Sequence, residues 1–228
     1  MNLNDWGKIQ LLQSFVQKVI PENENKQIAF LWFLANKSGY DARIAFSANK
    51  IYLLIPATDV LYGNDFVKIG DKTYYFLKTI HKSYKLDKKV YTYKKTYKND
   101  NKQVSLRLKQ VPSLDNHVIT KDLKFKYNST EYSIPVVFKK DAIEFFRTYP
   151  QTQLDVYFGA PLSNEAASSL LNALKPHVEN KSQIEAINFL LRFVQTAFSY
   201  QTDNEQFGRE KYLMPEETLF YPNSDCED

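Results

Sequence analysis

The stretch ENKQIAFLWFLANKSGYDARIAF, residues 24–46, decides the fold, because the spacing of its apolar residues changes from a helical to a strand period. Ile28, Leu31 and Trp32 follow one helix face, and Gly39 supplies the stop. After Gly39, three segments have the composition and spacing of strands, namely DARIAFSA, KIYLLIPA and KTYYFLKT. One helix, a glycine and three strands predict an α+β chain in which the helix packs on an antiparallel sheet.

The flanking residues extend this pattern. Asp5 is predicted to cap a first helix that ends before Pro21. The run Ile51–Ile55 is continuously apolar, which predicts a central strand covered on both faces.

The middle of the chain is predicted to be mostly β. Basic residues alternate with Tyr91, Tyr93 and Tyr97, which is compatible with a platform for single-stranded nucleic acid but is the ordinary pattern of a half-buried strand. We favour the strand. Further predicted elements are a strand QVSLRLKQV, a hairpin turning at Asn128–Ser129, a short helix in KKDAIEFFRTYP and a strand in QLDVYFGAP.

Two helices are predicted next. Ser163 or Asn164 caps the first, and Lys181–Ser182 begins the second. A stripe on the second helix is predicted to be its core face, packed on a helix that starts at Cys226. The stripe consists of Ile184, Ile187, Leu191, Val194 and Phe198, widened by Leu190. We expect Gln201–Asp228, which follows, to lie extended or pinned along a neighbouring surface through Phe207, Tyr212, Phe220 and Tyr221, and not to be helical at its end.

Composition limits the classes of function. Of the 228 residues, 43% are hydrophobic, which is typical of a globular protein. The 30 basic and 26 acidic side chains nearly balance, so the net charge gives no reason to expect nucleic acid or anionic lipid as a partner. No apolar run is long enough to span a bilayer. His81, His117 and His177 lie far apart and no glycine-rich phosphate loop occurs, so we expect no metal and no cofactor.

The chain has one cysteine, Cys226. A lone cysteine is commonly a small buried hydrophobe, but proline, asparagine, serine and acids surround this one. At the first turn of a helix, the unpaired N–H groups and the positive end of the dipole stabilise a thiolate. The sequence therefore indicates a reactive thiol.

Three segments carry a family resemblance: IEAINFLLRFVQTAFSY (Ile184–Tyr200), QFGREKYLMPEETLFYP (Gln206–Pro222) and SDCED (Ser224–Asp228). They resemble the transglutaminase-like superfamily of papain-related cysteine enzymes, and one bacterial branch in particular. The resemblance implies that Cys226 is the nucleophile at the head of a helix, with a His and an Asp on the strands that follow. Ser224 stands where the wider family has Gly. We therefore expect the front part of a longer enzyme, inactive without those partners.

The chemistry implied by the resemblance is amide hydrolysis or acyl transfer on a protein or peptide substrate. The Cys226 thiolate would attack a carbonyl and form a thioester, which water or an amine resolves. Its backbone N–H would serve the oxyanion hole. Asp225 is assigned to loop geometry or capping, and Glu216, Glu217 and Tyr221 to the rim of the substrate cleft.

Residues 3–80 also resemble this core, with its chemistry removed. The alternative is an unrelated helix-plus-sheet domain. Counted back from Gly39, the family's three catalytic positions carry neither a thiol nor an imidazole. They are Glu24 or Asn25 for the cysteine, Asn49 or Lys50 for the histidine, and Leu77 or Lys78 for the aspartate.

We therefore expect an α+β chain of three parts. Residues 1–80 form a degenerate transglutaminase-like domain, 82–161 a β-rich connector, and 162–228 the opening of a second transglutaminase-like domain. The competing interpretation is a non-catalytic binding or scaffold region that presents a protein or cell-wall ligand. A second copy of the chain, bound through the C-terminal helix face, is a further candidate partner. The sequence is compatible with two locations. One is the cytoplasm, and the other, where Met1 replaces the leader of a longer precursor, is the periplasm or the exterior.

Overall fold

The computed structural model describes residues 3–47, 49–78, 86, 89–94, 101–113 and 117–225. They form an α+β protein of two compact units. The sheet unit comprises Leu3–Leu106 with Pro150–Gln153, and the hairpin unit comprises Arg107–Tyr149 with Leu154–Asp228. The predicted boundaries near residues 80 and 161 differ from these, because the hairpin assigned to the connector shares one core with the C-terminal helices.

The sheet unit contains two helices and a five-stranded sheet in the order β3-β4-β2-β1-β5. All of its strand pairs are antiparallel. Its elements are α1 (Asp5–Val19), α2 (Glu24–Lys37), β1 (Arg43–Ser47), β2 (Lys50–Pro56), β3 (Phe66–Ile69), β4 (Lys72–Phe76) and β5 (Tyr91–Thr92). The predicted central strand is confirmed: β2 lies in the middle of the sheet, and Tyr52, Leu53 and Leu54 are fully buried.

The helices and most strands of this unit lie where the sequence predicts them, and three details differ. Gly39 ends α2 with a φ of 89°, as expected for a residue without Cβ. The cap of α1 is Asn4, whose side chain accepts the Gly7 N–H at 3.0 Å, and not Asp5. Strand β3 was not predicted. The predicted strand QVSLRLKQV is wrong, since within this segment only Val104 makes an isolated bridge, to Ala57.

The tyrosine-rich segment yields the two-residue strand β5, and Tyr97 lies outside the described residues.

The hairpin unit is built on two ten-residue strands, β6 (Val118–Tyr127) and β7 (Thr130–Lys139). Asn128 and Ser129 both have positive φ, 47° and 64°, which is the geometry of the tight turn that matches strand twist, and the predicted hairpin is confirmed. The remaining elements are α3 (Lys140–Arg147), α4 (Leu154–Phe158), α5 (Asn164–Val178), α6 (Gln183–Thr196), β8 (Ser199–Tyr200), α7 (Asp203–Phe207), α8 (Pro215–Phe220) and β9 (Asn223–Ser224).

Two predictions for the hairpin unit are wrong. Residues 154–158 form α4 and not a strand, because the consecutive residues Val156 and Tyr157 both face the interior, which an alternating strand does not allow. The core face of α6 is also different. Phe189 and Phe193 are 0% and 4% exposed, whereas Ile184 and Val194 of the predicted stripe are 73% and 63% exposed.

Helix α6 packs its phenylalanines on the hairpin. The rings of Phe189 and Phe193 meet the ring of Phe125 on β6 edge to face, at 5.2 and 5.4 Å between centroids.

No helix in the described part of the chain is long and apolar enough to cross a membrane.

Candidate functional site

The candidate nucleophile Cys226 lies outside the described residues, and Asp225 is the last described position before it. The segment leading to it is held by a parallel pair, β8 with β9. The Ser199 N–H donates to the carbonyl of Pro222 at 3.1 Å, and the Gln201 N–H donates to that of Ser224 at 3.2 Å. The approach to Cys226 is therefore fixed beside the C-terminal end of α6.

The segment from Gln201 to Asp228 was expected to be extended or pinned; its described part, which ends at Asp225, contains α7 and α8 and is therefore not extended. The predicted pinning by aromatic residues is confirmed within the hairpin unit. Phe220 packs on Phe138 at 5.5 Å between ring centroids, and Tyr221 packs on Phe207 at 5.1 Å. The final segment is thus an ordered platform.

Within this platform lies a buried ion pair. Lys211 Nζ donates to Glu217 Oε1 at 2.7 Å, and both residues are almost fully buried. The second oxygen of Glu217 accepts the Met214 N–H at 3.2 Å, at the start of α8. Asp203 accepts the Lys211 N–H at 2.7 Å. Through its N–H and its side chain, Lys211 thus connects Asp203 of α7 with Glu217 of α8.

Burial controls the protonation of this cluster. It raises the pKa of Glu217, although the charge of Lys211 opposes the effect. Burial also raises the pKa of Asp203, and the charge of Asp225 raises it further. Lys211 also lies over the Phe207 ring, at 5.1 Å from its centroid.

Two of the three residues assigned to a cleft rim, Glu216 and Glu217, are buried in the interior. Glu216 is fully buried and accepts from the Ser163 N–H at 2.7 Å and from the Ser163 hydroxyl at 3.0 Å, so it anchors α8 to the cap of α5. Glu217 is the buried partner of Lys211. Tyr221 is half-buried. Burial, and to a lesser extent the charge of Glu217, raises its pKa. The two glutamates belong to the interior because helix α8 turns its first-turn carboxylates inward.

In the sheet unit, the structure brings together two of the three positions assigned to a degenerate triad. The Asn25 side chain, in the first turn of α2, donates to the Asn49 carbonyl at 3.0 Å and accepts the Ile51 N–H at 3.1 Å. The third position is placed differently. Leu77 is buried, and Lys78 donates to the Gly63 carbonyl at 2.8 Å and lies 3.6 Å from Asp65.

The sequence did not single out the buried polar cluster of the sheet unit. Asp41 Oδ2 accepts from Lys72 Nζ at 2.9 Å and from the Tyr74 hydroxyl at 2.6 Å, while Arg43 Nε lies 3.5 Å from Asp41 Oδ1. The Arg43 guanidinium also covers the Tyr74 ring at 4.7 Å. The available signal was the two-residue spacing of polar side chains, Asp41 with Arg43 and Lys72 with Tyr74, which places each pair on one face of the sheet.

The described residues contain no cluster of three or more histidine, cysteine or acidic side chains that could hold a metal ion. The chain matches no protein-family model, no curated protein and no solved structure.

Proposed function

We propose that the chain is the front part of a transglutaminase-like cysteine enzyme. In this proposal the sheet unit is a catalytically inactive relative of the enzyme core, and the hairpin unit carries the nucleophile Cys226. The observation that supports it is the contact between the first turn of α2 and the start of β2, made by Asn25. The resemblance places a nucleophile at that helix start. Asn25 supplies an amide, which is neither a nucleophile nor a base, so the sheet unit binds or positions other groups and does not catalyse.

The chemistry would then belong to the hairpin unit. A thiol acts as a nucleophile when a base within hydrogen-bond reach takes its proton and a third group orients that base. The resemblance assigns both groups to strands beyond Cys226. We therefore expect residues 1–228 alone to show neither peptide hydrolysis nor amine incorporation into a glutamine peptide, with Cys226→Ala indistinguishable from the unmodified chain.

Placing a thiol at the degenerate position tests the proposal directly. In a Cys226→Ser background, Asn25→Cys leaves one thiol, in the first turn of α2, and Lys50→His or Asn49→His adds an imidazole at the start of β2. The pH dependence of alkylation by iodoacetamide measures the thiol pKa. We expect a midpoint below the ordinary ~8.5 for Asn25→Cys, and a further fall on adding the histidine.

The matched control is Lys37→Cys in the same background, at the last turn of α2, where the negative end of the helix dipole disfavours a thiolate. Equal midpoints for the Asn25→Cys and Lys37→Cys variants, with no effect of either histidine, would contradict the degenerate-core assignment. Circular dichroism checks that each variant is folded.

The second candidate is a non-catalytic binding region, and one surface favours it. Leu11, Phe15 and Val19 follow one another at four-residue steps on α1 and are all exposed. Such an apolar stripe is typical of a protein-binding helix. The two candidates differ in the histidine step of the iodoacetamide experiment, since a binding region gives no reason for an imidazole at residue 49 or 50 to lower the thiol pKa at residue 25 further.

A further inference from the structure

The long hairpin of the hairpin unit is a sheet of only two strands, so β6 and β7 each have one outer edge. In a hairpin with a two-residue turn, the flanking residues, here Tyr127 and Thr130, form a hydrogen-bonded pair, and such pairs alternate with pairs that are not hydrogen-bonded. In the second kind of pair, the main-chain N–H and C=O groups point outwards, away from the partner strand. In the middle of the hairpin, the outward-pointing residues are Thr120, Asp122, Lys124 and Lys126 on β6, and Glu131, Ser133, Pro135 and Val137 on β7.

The edge of β7 is closed to a further strand. Pro135 has no N–H to donate, and the Val137 N–H donates to the Ser169 hydroxyl of helix α5 at 2.9 Å. Proline and a covering helix are means by which native proteins prevent an edge from pairing with another strand. A third strand therefore cannot be added beside β7.

The edge of β6 is open over most of its length. At one end, the Lys126 carbonyl accepts from Arg192 Nε at 3.2 Å. Further along, no hydrogen bond within the described part of the chain reaches the main-chain groups of Thr120, Asp122 and Lys124. The side chains of these three residues are exposed. Because main-chain N–H and C=O groups are rarely left without a partner, these groups bond water or a strand that binds there.

The charges along this edge are mostly positive. Lys124 and Lys126 lie on the exposed face of β6, and Arg192 lies at the end of the edge. Within the described residues, none of these three cations forms a salt bridge. Asp122, the one acid of β6, accepts from the Ser133 hydroxyl at 3.2 Å, on the neighbouring strand. The edge therefore attracts carboxylates.

We propose that β6 binds an acidic peptide in the extended conformation, which adds a third strand to the hairpin. The main chain of the peptide pairs with residues 120–124. Side chains on one face of a strand recur at every second position, so carboxylates at alternate positions of the peptide meet Lys124 and Lys126. A nucleic acid would match the charges, but it has no ladder of N–H and C=O groups to pair with a strand edge. This inference does not rest on the proposed function.

An NMR titration of the isotope-labelled chain tests the proposal. The probe is a synthetic peptide of about six residues, an ordinary strand length, in which glutamate alternates with valine and both ends are blocked. We expect saturable shifts of the Thr120, Asp122 and Lys124 amide signals at or below about 1 mM peptide, and slower hydrogen exchange of these amides. The same peptide with lysine in place of glutamate should bind at least about tenfold more weakly, because its charge has the sign of the edge.

Proline substitutions test the pairing of the main chains. Lys124→Pro removes one outward N–H without removing a hydrogen bond of the β6–β7 ladder, and it should weaken binding by about tenfold or more. Ser133→Pro is the matched control, because Ser133 lies opposite Lys124 in the same pair but points to the closed edge, and it should leave binding unchanged. Lys124→Ala removes the charge alone and should weaken binding less than Lys124→Pro. Circular dichroism confirms that each variant is folded.

Three results would overturn the proposal. They are a glutamate peptide that does not bind at about 1 mM, equal binding of the glutamate and lysine peptides, and equal binding to the Lys124→Pro and Ser133→Pro variants. Sedimentation equilibrium examines the other occupant of such an edge. A chain that dimerises on its own and becomes monomeric with Lys124→Pro would assign the edge to a second copy of the chain, and not to an acidic peptide.

Discussion

Two carboxylates of the sheet unit and two of the hairpin unit are stabilised in different ways. In the sheet unit, Asp41 lies between Arg43 and Lys72, and Asp5 accepts from Lys102 Nζ at 2.6 Å. In the hairpin unit, Glu216 is held by the hydroxyl and N–H of Ser163, and one ammonium group, that of Lys211, serves Glu217. Asp41 and Asp5 are thus stabilised by cations, whereas Glu216 and Glu217 rely on neutral donors and a single lysine.

Carboxylates of the two units also differ in the direction of their pKa shifts. Burial tends to raise the pKa of Asp5, but hydrogen bonds from Lys102, the Ser105 N–H and the Tyr40 hydroxyl outweigh it and hold that pKa below its ordinary value. Burial raises the pKa of Glu216, Glu217 and Asp203 against the hydrogen bonds that each accepts. Asp5 therefore stabilises the sheet unit when it is ionised, whereas Glu216, Glu217 and Asp203 stabilise the hairpin unit when they hold their protons.

The largest expected effect is that of removing the central acid of the sheet unit. Asp41→Ala leaves the buried Arg43 without its counter-charge and the Tyr74 hydroxyl without its acceptor. Breaking a buried pair by deleting one partner costs about 3–5 kcal/mol of the free energy of unfolding. Both tryptophans of the chain, Trp6 and Trp32, lie in the sheet unit, so tryptophan fluorescence during urea denaturation reports this loss selectively.

Asp65→Ala is the matched control for that experiment. Asp65 is exposed and pairs with Lys78 at 3.6 Å on the surface of the same unit, so its removal should cost no more than about 0.5 kcal/mol. Similar losses in the two variants would mean that the Asp41 cluster does not hold the sheet unit together.

A smaller effect is expected from removing the cation that pairs with Glu217 in the hairpin unit. Lys211→Met leaves Glu217 buried without its counter-charge, and the loss should be about 3 kcal/mol, the lower end of the range for a broken buried pair, because Glu217 can take up a proton. The far-UV circular dichroism transition should shift while the tryptophan transition stays in place. The double variant Lys211→Met/Glu217→Leu should recover most of the loss, and failure to recover would show that lost packing, and not the uncompensated charge, dominates.

Elements with strong local signals could be predicted from the sequence. Helices α1, α2, α5 and α6 follow from apolar spacing and capping residues, and the β6–β7 turn follows from Asn128–Ser129. The inward face of α6 could not be predicted in this way, because both of its sides are apolar. The aliphatic stripe dominates the pattern, whereas the larger Phe189 and Phe193 fill the core.

The candidate site depended on contacts that no local pattern contains. Glu216 is buried because Ser163, 53 positions earlier, meets its carboxylate. Acids in the first turn of a short helix after a proline look like surface residues when only the sequence is considered. The role of Cys226 stays a prediction, since that residue lies outside the described part of the chain.

The smallest and sharpest test uses pH to separate the two units. Above the unfolded-state pKa of about 4.3, a glutamate is ionised in the unfolded chain, so folding must either protonate Glu216 or bury its charge. The stability that this group contributes is therefore present below that pKa and is lost as the pH rises through the raised folded-state pKa. Glu216→Gln removes the penalty and should raise the free energy of unfolding of the hairpin unit at pH 7, with a gain that shrinks towards pH 4.

Asp5→Asn should do the opposite in the sheet unit. The contribution of Asp5 is present above the unfolded-state pKa of about 3.9 and is lost as the pH falls through the lowered folded-state pKa. The variant should therefore be less stable than the unmodified chain at pH 7, by an amount that shrinks towards pH 3, when tryptophan fluorescence is followed. If both substitutions shifted their unit's stability in the same direction between pH 7 and pH 4, the two units would not differ in how they accommodate buried acids, and the contrast drawn from their hydrogen bonds would be wrong.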